Sequence, residues 1–151
     1  VGDQLQTDIV GANNFGIDPS RLIFAEKLEI NQHLQRLKFA DLFLDTFPYN
    51  GHTTACDSLF MHVPVLTMKG KSFASRVAAS LLNAIGLNEL ITESLKEYKL
   101  SAIELGKSKQ KLQFYKNRLF ANKSTYPLFD TKLYTKNLEK AFLEIWSKTK
   151  K

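Results

Sequence analysis

His52, Thr53, Thr54 and Asp57 stand close together in the stretch DTFPYNGHTTACD, residues 45–57, which follows directly on the apolar ADLFL. An apolar run there hands over to a polar, Pro- and Gly-containing turn, and the turn to a helix. Gly51 lets a backbone come close to a ligand with no Cβ in the way. Thr53 and Thr54 fall in the first turn of a helix predicted over 53–61. The free N–H groups and positive dipole end of that turn favour an anion, phosphate above all. The two hydroxyls add donors for the same oxygens. His52 can donate to a phosphate as well, or help carry charge on a leaving diphosphate. Asp57 comes one turn after Thr53, and its carboxylate can accept from the two adjacent hydroxyls of a ribose. The spacing suits a nucleotide diphosphate with its sugar beyond. A plainer reading competes with it, in which Thr53 or Asn50 is a helix cap and Asp57 a surface charge. The residues alone leave the two open.

His33 and Arg36 lie three apart and share a face of a predicted short helix, residues 31–39. If that helix borders the same crevice, the pair can reach a nucleotide base; otherwise it is a solvated face. His62 ends a helix just before a strand and reads as structural. Arg76 is divided between a phosphate contact and a surface ion pair. Cys56 is the single cysteine. It reads as core packing, with no histidine partner to argue for nucleophilic use, and it forms neither an internal disulfide nor a metal site alone.

The elements that must position these residues follow from short apolar runs alternating with helical patterns. Residues 4–15 are compatible with a short helix. Runs at 21–25 (RLIFA), 41–45 (DLFLD) and 63–68 (VPVLTM) are candidate buried strands, with Pro64 tolerable near a strand start. A helix is predicted from Ser72 to Ile85, with Phe73, Val77, Ala78, Leu81, Leu82 and Ile85 on one face and Gly86 as its stop. The alternation predicts βα units and a parallel sheet. Beyond Thr92 the pattern turns helical. Ser94 and Glu97 form a capping-box signature, Gly106 is a candidate kink, Pro127 a break, and a last helix is predicted over 132–148.

The chain has 151 residues, 44% of them hydrophobic with 11 Phe, which fits one domain of a soluble globular protein. No apolar run approaches the roughly 18 residues needed to span a bilayer, so no membrane association is expected. With one cysteine and no basic-then-apolar leader, a cytoplasmic location is the expectation. The net charge of +6 is unevenly placed: residues 1–106 carry nine Lys/Arg against twelve Asp/Glu, and 107–151 carry twelve against three. The basicity therefore belongs to helices of the last third and reads as a solvated face. Nucleic acid is not the expected partner, since neither an RNP-like aromatic motif nor zinc-finger spacing is present. The chain begins at Val1 in a loop-like VGDQ and reads as a piece of something longer.

The runs DLFLDTFPYNGHTTACDSLF and VPVLTMKGKSFASRVAASLLNAIGLNELI closely resemble the C-terminal catalytic region of O-GlcNAc transferases, the family that also contains the plant SPINDLY proteins. The resemblance extends from about Val1 to Trp146, including the late PLFDTKLYTKNLEKAF. It implies a GT-B architecture of two Rossmann-like halves with the sugar nucleotide bound mainly to the C-terminal one. This chain would be that half, an α/β fold with a short parallel sheet flanked by helices. Residues 1–92 would form the sugar-nucleotide-binding part, its first strand missing, and 93–151 the C-terminal helices of the same domain.

The resemblance also implies an activity: transfer of GlcNAc from UDP-GlcNAc to Ser or Thr of an acceptor protein, with inversion and with no metal or other cofactor. By motif, His52, Thr53 and Thr54 resemble the turn that holds the diphosphate, Asp57 the ribose-binding carboxylate, and His33 with Arg36 the pair beside the uracil. Ile30 stands where the animal enzymes have a lysine, which leaves Lys27 or Lys38 for that ribose contact. No residue of the chain offers itself as base for the acceptor hydroxyl. The N-terminal catalytic half and the tetratricopeptide repeats of the family are not in this sequence, so UDP binding with weak or no transfer is expected of it alone. Two alternatives stay open. One is a nucleotide-binding fragment without transferase activity; the other is a portion of a SPINDLY-like GDP-fucose transferase, which the DTFPY stretch resembles.

Overall fold

A computed structural model describes residues 18–149. The predicted helix over 4–15 lies outside the described residues. Two compact units divide the chain, the second beginning at Leu34. In the first, Pro19–Arg21 makes one turn of 3-10 helix and helix α1 (Ile30–Leu37) begins; α1 then runs on into the second unit. The strand predicted at 21–25 is not formed, and residues 22–29 have no regular structure. Ile23 is 90% exposed and Phe24 44%, so the run has no packed surface to hold it, and an unpaired strand leaves its backbone groups without a ladder.

The second unit is built on three short parallel strands, β1 (Phe43–Leu44), β2 (Val65–Met68) and β3 (Ile91–Thr92), in the spatial order β1-β2-β3. Phe43 and Leu44 lie opposite Val65 and Leu66, and Thr67 and Met68 opposite Ile91 and Thr92. Parallel neighbours need a crossover, and each one carries a helix: α2 (Thr53–Phe60) between β1 and β2, α3 (Val77–Ile85) between β2 and β3. Helices α4 (Leu95–Lys107), α5 (Lys109–Asn122) and α6 (Thr131–Thr149) follow. Successive residues of a strand point to opposite faces, and Val65, Leu66 and Thr67 are all fully buried. Both faces of β2 are therefore covered, with α3 and α4 packed against it. Leu59, Leu82, Ile85, Leu90 and Leu119 complete the core from α2, α3, α5 and the turn before β3.

Helix α3 ends as its sequence requires. Gly86 adopts a left-handed conformation at φ 74°, and the Leu87 N–H closes the turn on the Leu82 carbonyl at 2.9 Å, a Schellman arrangement that glycine enters without a Cβ clash. Asn122 donates to the Ile85 carbonyl at 2.8 Å and Arg118 to that of Gly86 at 2.6 Å, so α5 satisfies the last carbonyls. The start of α3 differs from expectation, at Val77 and not Ser72. Residues 70–75 are committed elsewhere: the Gly70 N–H donates to Ser75 O at 2.8 Å, the Asn50 N–H to Ala74 O at 2.9 Å, and the Ser75 hydroxyl to Ser72 O at 3.0 Å. Serines that bond their own backbone compete with a helix, and Phe73 is left 83% exposed.

The Ser94 cap of α4 forms, with Glu97 N–H donating to the Ser94 hydroxyl at 3.2 Å, while the Glu97 carboxylate reaches one residue beyond the cap and accepts from Glu93 N–H at 2.9 Å. Gly106 does not kink the run. The break falls at Ser108, whose extended backbone ends α4 and whose hydroxyl caps α5 by accepting from Lys111 N–H at 3.2 Å.

Candidate functional site

Two loops leave the carboxyl ends of adjacent strands, 45–52 after β1 and 69–76 after β2, the edge at which ligands bind to open parallel sheets. Asp45 organises the first. It is 6% exposed. Its Oδ1 accepts from Thr46 N–H at 2.9 Å and Gly51 N–H at 2.6 Å, and its Oδ2 from the Thr67 hydroxyl at 2.6 Å. Its carbonyl accepts from Tyr98 on α4 at 2.9 Å. The Thr67 carbonyl in turn accepts from the Thr92 hydroxyl at 2.9 Å. Asn50 donates to Thr46 O at 2.9 Å, and its own amide ties the loop to Ala74 of the second loop. Gly51 sits where a Cβ would be 2.7 Å from Thr54 Oγ1 and 3.3 Å from Asp45 Oδ1. The demand for glycine here is one of space.

This loop delivers the chain to α2 with its first turn open. Thr53 is the first helical residue, the preceding His52 offers no side-chain cap, and Thr53 and Thr54 are both exposed. The plainer sequence reading, with Thr53 or Asn50 as cap, is not what forms. Asp57 follows one turn on, half-buried. His52, Thr53, Thr54 and Asp57 are thus brought to one helix start. The His52 ring lies between two aromatics, stacked on Tyr49 at 5.0 Å and edge-on to Phe73 at 6.1 Å. Its Nε2 is sealed from solvent and has no hydrogen-bond partner among the described residues.

Cations stand nearby on the second loop. Lys69 is paired with Glu93 at 2.6 Å, while Lys71 and Arg76 form no ion pair among the described residues; the surface ion pair considered for Arg76 is absent there. These two line a cavity of about 500 Å³ together with Phe73, Val77, Ser80 and Leu81. His33 and Arg36 lie on α1, both half-buried and each with interactions of its own. Burial, followed by the charge of Asp57, pushes the Cys56 thiol up, which keeps it protonated and agrees with a packing role. His62 lies past the opposite end of α2 from His52 and Thr53. It takes a left-handed φ of 64° just past α2, and burial, then Lys123 and Lys38, hold its imidazole below the ordinary value.

Sequence reasoning missed Asp45, Thr67, Thr92 and Tyr98. A carboxylate at the end of an apolar run, just before a turn, is the one local signal. Its partners are 22 and 53 residues away, and no spacing rule connects residues so far apart.

Residues 4–138 match the model of glycosyl transferase family 41. A probable UDP-N-acetylglucosamine–peptide N-acetylglucosaminyltransferase SEC of Arabidopsis thaliana is 41% identical over 133 residues, 87% of this chain and 14% of that protein. A Caenorhabditis elegans UDP-N-acetylglucosamine–peptide N-acetylglucosaminyltransferase is 36% identical over 88% of this chain and 12% of its own length. A Solanum lycopersicum protein, described as a probable enzyme of the same kind and named SPINDLY, is 37% identical over 87% and 14%. The chain therefore spans about one seventh of these relatives. Among solved structures, a mutant of the Thermobaculum terrenum O-GlcNAc transferase superposes with a TM-score of 0.87 at 30% identity, covering 94% of this chain and 27% of that one. The fold is accordingly α/β, a Rossmann-like portion of a GT-B glycosyltransferase. From matched span, identity and fold together, the chain belongs to glycosyl transferase family 41.

Proposed function

We propose that this chain is the donor-binding portion of a protein O-GlcNAc transferase, which moves GlcNAc from UDP-GlcNAc to Ser or Thr of an acceptor protein with inversion and without a required metal. The observation that carries the reading is the open first turn of α2, with two exposed threonines and no side-chain cap. In this assignment the backbone N–H groups and the hydroxyls of Thr53 and Thr54 hold the diphosphate, Asp57 the ribose, and His33 with Arg36 the uracil. As the glycosidic bond breaks, negative charge grows on the diphosphate. Donors already aimed there stabilise it without solvent reorganisation. His52, held between Tyr49 and Phe73 at the same helix start, is assigned to the same charge stabilisation.

Calorimetric titration with UDP, with GDP as control, tests this directly. UDP is expected to bind more tightly than GDP, and binding is expected to vanish in a Thr53→Ala/Thr54→Ala/Asp57→Ala variant. A folded chain that binds neither nucleotide, or a variant that binds as well as the parent, sinks the assignment. GDP winning over UDP points instead to the GDP-sugar members of the family.

A further inference from the structure

Thr53, Thr54 and the α2 amides can stabilise a diphosphate only if the loop before them is held in place, and no helix or strand ladder holds it. Residues 45–52 lie between a strand and a helix. Its large apolar side chains Phe47 and Tyr49 are more than half exposed, while the polar Asp45 and Asn50 are buried. Packing therefore fixes little of this loop. What fixes it, beside the bonds of buried Asn50 to Thr46 and Ala74, is a chain of buried polar groups across the carboxyl ends of all three strands. Thr92 of β3 donates to the Thr67 carbonyl of β2, Thr67 donates to Asp45 after β1, and Asp45 receives the amides of Thr46 and Gly51. Thr67 is fully buried, and Thr92 and Asp45 are 5% and 6% exposed. Gly51 is the last residue but one before α2. The Asp45–Gly51 bond, at 2.6 Å, thus anchors the chain two residues before that helix begins.

Deepening the donor-site reading, on which it rests, we infer that Asp45 is the positioning residue of the diphosphate cradle, held by Thr67 and acting through the Gly51 amide. It touches no ligand in this assignment. A second feature separates it from a merely stabilising group. The same residue is anchored twice: its carboxylate faces the loop amides, while its carbonyl takes the Tyr98 hydroxyl from α4. The two anchors can be cut independently. A carboxylate accepting two N–H groups and one O–H is charge-assisted at each bond, and such bonds are the stronger class. Asparagine at 45 keeps the shape and one acceptor oxygen but loses the charge.

The test compares UDP with uridine, so that only the diphosphate's share of binding is read. In Asp45→Asn the ratio of UDP to uridine affinity should fall by about tenfold or more, the equivalent of one charge-assisted hydrogen bond, with uridine affinity unchanged. Thr67→Val should lower the ratio by a smaller factor. Tyr98→Phe removes the other anchor; it should lower the melting temperature and leave the ratio intact. An Asp45→Asn chain that melts earlier yet keeps the parental ratio reduces Asp45 to a structural residue and overturns the inference. So does a ratio that falls equally in Tyr98→Phe. A parental chain that binds UDP no better than uridine removes the cradle itself, a failure of the donor reading that carries this role down with it.

Discussion

The loop before α2 and the last helix, α6, are ordered in opposite ways. The loop has almost no regular structure, yet Thr67, Tyr98 and Ala74 converge on it from three places in the sequence. Helix α6 runs 19 residues and buries none of them. Its bonds are local: Asp130 caps it by accepting from Leu133 N–H at 2.9 Å, and Thr135 donates to Thr131 O at 2.9 Å. Its apolar residues Phe142, Leu143 and Ile145 remain 62%, 69% and 59% exposed. A long helix can persist on backbone bonds and a cap, but most helical stability in proteins comes from packing an apolar face. An irregular loop has no such repeating bonds, so each of its buried backbone groups needs a specific partner. The loop is correspondingly sensitive to single changes, and the helix tolerant of them.

The sharpest way to break this contrast is in the core that supports the loop. Leu82 is fully buried on α3, and Leu82→Ala should cost about 2–5 kcal/mol through lost burial and a residual cavity. Leu143→Ala on α6 should cost less than about 0.5 kcal/mol. Chemical denaturation of both variants checks the pair, and equal losses would show that α6 is packed after all. Two glycines give the next comparison. Gly51→Ala forces a Cβ towards Thr54 Oγ1 and Asp45 and should destabilise by about 1–3 kcal/mol while weakening UDP binding. Gly106→Ala meets nothing within 4 Å on α4, and should stabilise by about 0.5–1 kcal/mol. If Gly51→Ala leaves UDP binding untouched, the close packing of the loop is irrelevant to the site.

Smaller effects sharpen the picture at the helix ends. Asp130→Ala should remove about 1 kcal/mol of local helix stability. It should be seen as faster amide exchange confined to the first turns of α6, with the main melting transition unmoved; a shift of that transition would tie α6 to the core. His62 supplies the pH dependence. Its folded-state pKa is held below the ordinary value of 6.5 by burial, Lys123 and Lys38, so the unfolded chain binds the extra proton first. Stability from this residue is complete above that ordinary value. It should fall as pH drops through it, levelling off below the depressed folded value. His62→Asn, which tolerates the left-handed backbone, should flatten that part of the profile, and an unchanged profile would assign the effect elsewhere.

Particular residues show where the sequence was informative. The DLFLD and VPVLTM runs marked β1 and β2, Ser94 and Glu97 marked the start of α4, and Gly86 the end of α3, because strand burial, capping and the left-handed stop each rest on residues within one turn or run. NGHTT and Asp57 marked the candidate site for the same reason, since a helix start gathers them by local geometry. RLIFA misled because an apolar run becomes a strand only when a neighbour pairs with it. Ser72 misled as a helix start because residues 70–75 bond to one another and to Asn50. Asp45, which pins the Gly51 amide, could not be singled out from its neighbours, since the Thr67 and Tyr98 that define it lie 22 and 53 residues away. By itself the sequence determined the βα alternation, the caps and the placing of the Thr-Thr turn at a helix start, all effects of short range. Only the tertiary structure decided which buried hydroxyls meet the Asp45 carboxylate and which aromatics cover His52. Those choices depend on strand order and helix packing, which bring distant residues within hydrogen-bonding distance only after the chain has folded.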